Sequence, residues 1–250
     1  MKEIVKSYAK INLGLHVVKK TRKNYHKLQM IMTEIDLYDE IIFEENNDII
    51  VIMDNDICSM ENNLCYKVAN YLKDRYNVRT GIKITINKNI PDGGGMGGGS
   101  SNAAVVLKYL NKMWNLNLKK KHLMKIGYKF GCDIPFFIEG GIKKVEGYGE
   151  RLKTLKIKPI HDEILLIVPD FKNSTSEVFG NHCVFCKNRI KKLLKALKQG
   201  NYYNFIFNDL EEAANKVSDN KIYSIKKKLI DIGAIYNVMS GSGSTIVCFF

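Results

Sequence analysis

A chain of 250 residues is long enough for one large or two modest domains, and its 45% hydrophobic and 26% charged residues exclude an intrinsically disordered or fibrous protein. Lys and Arg total 39 against 26 Asp and Glu, a formal charge of +13 that admits nucleic acid, an anionic surface or a polyphosphate ligand as partner. Lys, Asn and Ile are abundant and Arg is sparse, so a base-composition bias accounts for much of this excess without any binding role.

In chain order, Ile4 to Tyr8, Ile11 to Val18, Leu28 to Leu37 and Glu40 to Phe43 are β-rich and predict a strand meander. Leu64, Val68, Leu72 and Tyr76 recur every four residues and draw a helical stripe. Ile82, Ile84 and Ile86 alternate with polar residues as a half-buried strand. Ser101 to Trp114 and His122 to Phe130 are predicted helices, the second stopped by Gly131, before a short apolar segment from Ile134 to Ile138 read as β-rich and a Gly-punctuated stretch from Gly140 to Gly149.

After Arg151 the pattern restarts with a strand at Glu163 to Val168. Helices follow near Asn188 to Lys198, Tyr202 to Ala214 and Ile222 to Ile232, and strands at Ile235 to Met239 and Thr245 to Phe250 enclose a Ser-Gly loop. Strands before helices in each half predict an α+β class with two lobes, at 1–151 and 152–250. The runs Lys119 to Lys121 and Lys226 to Lys228 sit beside helically spaced apolar residues and read as solvated faces. No apolar run nears the roughly 18 residues of a membrane span and no targeting segment follows Met1, so a cytoplasmic location is expected. Cys58, Cys65, Cys132, Cys183, Cys186 and Cys248 read there as reduced thiols, and the single C-x-x-C beside His182 lacks the second half of a zinc site.

The sharpest local feature is Pro91-Asp92-Gly93-Gly94-Gly95-Met96-Gly97-Gly98-Gly99-Ser100-Ser101, which follows a strand and opens a helix. Six glycines in seven positions let the backbone approach a ligand and aim several N–H groups at it, and the helix adds its unpaired N–H groups and positive dipole end. This is an anion cradle that matches neither the P-loop nor the dinucleotide fingerprint. Pro91 and the helix after Asn102 pin its ends, which sets it apart from a flexible linker.

Pro91 to Ala104 resembles the second motif of the GHMP kinases. Ala9-Lys10-Ile11-Asn12-Leu13, Tyr25-His26-Lys27, Gly131-Cys132-Asp133-Ile134-Pro135, Glu146-Gly147-Tyr148-Gly149, Ser174-Thr175, Asn208-Asp209-Leu210-Glu211 and Ser240-Gly241-Ser242-Gly243-Ser244 resemble further family segments in order and spacing. The long glycine block and Tyr25-His26 look like the branch that phosphorylates a small alcohol carrying a cytidine diphosphate, on a route to isoprenoid precursors. The resemblance implies a two-lobed α+β fold, an ATP-binding lobe at 1–151 and a ferredoxin-like substrate lobe at 152–250. Departures are Asn24 in place of a usual Gly, the charged Asp92 before the glycines, and a chain end at Phe250 where the family continues with a helix and a strand. The chain is thus expected to be shortened there, and a homodimer is one way to cover the surface.

The same resemblance implies site roles. Asp133 is the candidate base and Lys10 the cation that keeps it ionised and stabilises developing charge. Residues 91–101 hold ATP, whose chemistry implies magnesium, with Ser101 as the candidate ligand. Tyr25 stacks on the cytosine and His26 hydrogen-bonds its edge, while Asn12, Thr175, Gly241, Ser242 and Gly243 hold the rest of the substrate. Neither nucleic acid nor membrane is expected as a partner. Two other readings stay open on sequence grounds: a homoserine- or mevalonate-type kinase of the same superfamily, and a non-catalytic basic protein that binds nucleic acid on the same fold.

Overall fold

The computed structural model describes residues 2–21, 26–54, 58–157, 163–183 and 188–250. Strands β1 (Lys2–Lys20) and β2 (His26–Asn46) are each continuous where the sequence suggests shorter pieces. Every residue of β1 from Ala9 to Val17 is buried, so both faces are covered and the alternation that marks a half-exposed strand is lost.

Two compact units form, interleaved in sequence. The first comprises Met1–Ala9, Ile35–Asp92 and Gly97–Gly140, and the second Lys10–Glu34, Gly93–Met96 and Gly141–Phe250. The units therefore do not follow a linear division at residue 151, because β1 and β2 each run from one unit into the other.

In the first unit β3 (Ile49–Met53) pairs in parallel with β4 (Gly81–Asn87), which pairs antiparallel with the C-terminal half of β2. Helix α1 (Leu64–Arg75) starts where the Asn63 side chain accepts from Cys65 N–H at 2.8 Å, and it buries Cys65, Val68, Ala69 and Leu72 along one stripe. Helix α2 (Gly98–Met113) is buried almost all round from Ser101 to Leu107, as befits a central helix. Helices α3 (Lys120–Phe130) and α4 (Ile134–Glu139) complete the unit. The Ile134 to Ile138 segment is thus helical rather than β-rich. Pro135 pre-sets helical φ in the first turn and Gly140 ends the helix, whereas a five-residue apolar run has no period to distinguish the two states.

In the second unit β5 (Lys143–Gly147) pairs antiparallel with β2 and with β6 (Arg151–Thr154), placing a strand in the Gly-punctuated stretch. Strand β7 (Ile164–Ile167) precedes α5 (Thr175–Gly180) and α6 (Ile190–Gln199). The helix expected from Tyr202 to Ala214 is broken. A 3₁₀ turn leads into β8 (Phe207–Asn208), which pairs in parallel with β1, and the Asn208 side chain accepts from Leu210 N–H at 2.9 Å before α7 (Glu211–Val217) begins. Helix α8 (Lys221–Asp231) and strands β9 (Tyr236–Met239) and β10 (Ile246–Phe249) follow, with β10 between β7 and β9 in an antiparallel sheet. Leu229, Ala234, Ile246 and Cys248 form the core where α8 meets that sheet.

Candidate active site

In the second unit the chemistry gathers around Lys10. Its side chain lies in the doubly covered part of β1, only 3% exposed, where an ammonium is costly unless oxygen atoms meet it. Two do. Nζ donates to the Gly95 carbonyl and to Asn12 Oδ1, both at 2.7 Å, and the Lys10 backbone N–H donates to the Met96 carbonyl at 3.0 Å. The buried Ser240 hydroxyl also donates to the Gly95 carbonyl, at 3.0 Å. Gly95 has φ +75°, and a Cβ there would stand 2.1 Å from the Ser240 carbonyl oxygen, so both backbone conformation and space call for glycine.

The loop from Ser240 to Ser244 is fixed from the same side. Asn208 Nδ2 donates to the carbonyls of Met239 and Gly241, both at 2.7 Å, and the Ser244 hydroxyl donates to the Phe171 carbonyl. At the solvent side the Thr175 and Ser242 hydroxyls lie 2.8 Å apart. His26, 8% exposed, stacks on Phe179 with ring centroids 5.0 Å apart and meets His182 edge-on at 6.5 Å. Its Nε2 is buried and makes no hydrogen bond within the described residues. Burial pushes the His26 imidazole below its ordinary range, and the charges of His182 and Lys20 push the same way, so the ring is neutral and offers one donor and one acceptor.

In the first unit Gly97 precedes α2, whose opening turn leaves N–H groups without intrahelical acceptors at Gly98, Gly99 and Ser100. The Ser101 N–H is already donated to the Gly97 carbonyl at 2.9 Å. The Ser101 hydroxyl is 2% exposed, donates to the Tyr8 carbonyl and accepts from the Ser7 hydroxyl, both at 2.7 Å. Ser101 therefore does not fit a magnesium ligand, since its oxygen is buried and engaged twice. Among the described residues there is no group of three or more His, Cys, Asp and Glu able to hold a metal. Asp92 is exposed, which keeps its charge in solvent. Asp133 stands at the N-terminus of α4, half-buried, and its carboxylate makes no capping bond to that helix. The backbone carbonyl does the local work, accepting from Phe136 N–H at 3.1 Å, which leaves the side chain available.

A family model described as GHMP kinases N terminal domain matches residues 63–141. A 4-diphosphocytidyl-2-C-methyl-D-erythritol kinase of Clostridium botulinum (strain Alaska E43 / Type E3) is 40% identical over 98% of this chain and 90% of its own length. One of Alkaliphilus oremlandii (strain OhILAs) is 39% identical over 100% of this chain and 89% of its own. The chain belongs to the 4-diphosphocytidyl-2-C-methyl-D-erythritol kinase family. A crystal structure of a 4-(cytidine 5'-diphospho)-2C-methyl-D-erythritol kinase superposes with TM-score 0.82 at 26% identity, over 99% of this chain and 90% of that one. A homoserine kinase from Cytophaga hutchinsonii, at TM-score 0.75 and 17% identity over 100% of this chain and 85% of that one, shares the fold. The fold is that of the GHMP kinases.

On the scaffold of this 4-diphosphocytidyl-2-C-methyl-D-erythritol kinase family, Lys10, Asn12 and Gly95 meet directly, Thr175 meets Ser242, and a Cβ on Gly241 would lie 3.5 Å from Lys10 Nζ. His26, Gly93, Gly94, Met96 and Gly243 belong to the same second unit, while Pro91, Asp92, residues 97–101 and Asp133 belong to the first. Tyr25 lies outside the described residues. Sequence reasoning missed three contributors: Phe179 under His26, Ser240 as a donor to Gly95, and Asn208 as the brace of the second glycine loop. Ser174-Thr175-Ser176-Glu177 is a capping box, with Ser174 Oγ accepting from Glu177 N–H, and that signal announces the helix carrying Phe179.

Proposed function

We propose that the chain transfers the γ-phosphoryl group of ATP to the 2-hydroxyl of 4-diphosphocytidyl-2-C-methyl-D-erythritol, a step towards isoprenoid precursors. The observation that carries the reading is the Lys10 ammonium, buried and held by the carbonyl of Gly95 inside the glycine loop, which ties a cation to a phosphate cradle. In this reading the N–H groups of residues 97–100, with the rest of residues 91–101, hold the ATP phosphates at the positive end of α2. The hydroxyl oxygen forms a bond to γ-phosphorus as the bond to the ADP oxygen breaks, and the hydroxyl proton passes to the Asp133 carboxylate. Lys10 stabilises negative charge on the transferred group.

Substrate recognition follows from the second unit. The His26 Nε2, without a hydrogen-bond partner among the described residues, meets the edge of the cytosine, Phe179 backs the imidazole, and Tyr25 supplies a stacking face. Thr175, Ser242 and the amides of Gly241 and Gly243 receive the diphosphate, and Asn12 orients Lys10. Magnesium bound with ATP would supply positive charge to the phosphates. The described residues contain no helix long and apolar enough to cross a membrane, and a metabolic enzyme of this kind works in the cytoplasm. The reading requires neither nucleic acid nor a membrane surface as partner, and a homodimer is compatible with it. A coupled ADP-release assay decides. Turnover should be seen with the cytidine diphosphate substrate and not with homoserine or mevalonate, and equal turnover with either of those overturns the assignment.

A further inference from the structure

Residues 88–90 lead into the glycine cradle, and in the first unit they converge on a carboxylate that the proposed reaction does not use. Asp39, within β2, is 0% exposed, an unfavourable place for an anion unless its oxygens are met. They are met four times. Oδ1 accepts from the backbone N–H groups of Asn89 and Ile90, both at 2.8 Å, while Oδ2 accepts from Lys88 Nζ at 2.5 Å and from Asn102 Nδ2 at 2.9 Å. The Lys88 side chain is itself only 9% exposed. One carboxylate thus joins the backbone that enters the cradle to the helix that leaves it. Close packing supports the same junction, since a Cβ on Gly98 would stand 3.1 Å from both Ile90 Cγ2 and Lys88 Nζ.

We propose that Asp39 is a positioning residue for the nucleotide: it fixes Asn89, Ile90 and Asn102 so that both ends of the glycine loop are set before ATP binds, with Lys88 as its buried counter-charge. The proposal rests on the reading of residues 91–101 as a phosphate cradle. Glycine has more conformational freedom to lose on ordering than any other residue, so a loop with six of them loses much on binding, and anchoring its ends lowers that loss. Stability alone gives little reason for such a group, because a buried ion pair replaced by apolar residues of similar volume is often neutral or better. The bonds to backbone N–H groups at the mouth of the loop are what apolar packing does not supply.

The test compares two double variants of the full chain that both lack the two charges. Asp39→Asn with Lys88→Met keeps an oxygen for the Asn89 and Ile90 N–H groups, and its amide gains a partner in Asn102 Oδ1, which is buried and unpartnered among the described residues. Asp39→Ala with Lys88→Met keeps neither. Calorimetry with ADP should give the Asn form a Kd within about threefold of the natural chain and the Ala form a Kd raised about tenfold or more, with KM for the phosphoryl acceptor unchanged in both. Equal ADP affinity in the two double variants overturns the proposal, as does a parallel rise in KM for both substrates, which marks general loosening. If the Ala form does not fold, Asn102→Ala cuts the link to α2 while leaving the ion pair, and unchanged ADP affinity there overturns the proposal equally. A natural chain that binds ADP but does not phosphorylate the cytidine substrate would sink the reaction assigned above while the ADP comparison still decides the role of Asp39.

Discussion

Replacing Gly95 by alanine tests the junction of lysine and glycine loop most directly. The φ of +75° is retained by an L-residue only at a cost of about 1 to 2 kcal/mol. The new methyl group would begin 2.1 Å from the Ser240 carbonyl oxygen, and reaching the 3.0 Å that real contacts keep requires a movement of about 0.9 Å. A movement of that size separates the Gly95 carbonyl from Lys10 Nζ and from the Ser240 hydroxyl, now at 2.7 and 3.0 Å. A hydrogen bond to a charged group is worth about 1.5 to 3 kcal/mol, so with the backbone strain the combined cost is about 2.5 to 5 kcal/mol. If it falls on the productive state, kcat/KM drops by about 100-fold or more. Gly200→Ala is the control, because Gly200 has φ +74° with nothing within 4 Å of its added Cβ and bears the strain without the collision. Steady-state kinetics and thermal melting of both variants separate the two terms. A folded Gly95→Ala protein with kcat/KM close to that of Gly200→Ala refutes the reasoning.

Asp133→Asn should lower kcat by about 100-fold or more and leave ADP affinity intact, and because the carboxylate caps nothing the melting temperature should hardly move; near-normal turnover removes Asp133 from its role. Burial holds His26 and His182 below the ordinary imidazole range, so the unfolded chain takes up protons around pH 6.5 before the folded chain does. Their contribution to stability is complete above that pH and lost as pH falls, and melting curves should show a shallower decline between pH 7 and 5 for His26→Gln; an unchanged slope contradicts this. Burial pushes the Cys65 thiol up to about 12 and that of Cys248 up to about 11, while Cys58, Cys132 and Cys183 are exposed. Brief alkylation of the native chain at pH 8 followed by peptide mapping should therefore label those three and spare Cys65 and Cys248, because the thiolate is the reacting form.

Helices with a regular apolar stripe were legible from the chain alone: α1 and α8 lie within two residues of where periodicity puts them. Elements whose form depends on distant partners were not. Phe207 and Asn208 lie in a stretch with helical spacing yet form β8 because β1 offers them a parallel edge, and β5 hides among glycines because its partner in β2 supplies the ladder. In the candidate site the residue types at Lys10, Asn12 and the glycine block were readable, since each sits in a local motif. What joins them was not. Lys10 and Gly95 are 85 residues apart, and Ser240 reaches the same carbonyl across 145 residues, distances over which a spacing argument carries no information. Phe179 was missed because a six-residue helix is too short to display a period.

The parallel pairing of Gly14 with Phe207 has a consequence for how the chain is made. His16 and Asp209, joined at 2.7 Å beside that pairing, are separated by 193 residues, so a ribosome adding about 5 to 20 residues per second needs about 10 to 40 s between them. For that interval the buried segment of β1 has no β8 to shield its open edge, and an unpaired strand edge is a template for other chains. The nascent protein thus carries a risk of mispairing early, on its first strand. A holding chaperone, or slow release until residue 209 has left the exit tunnel, should raise the yield of folded protein.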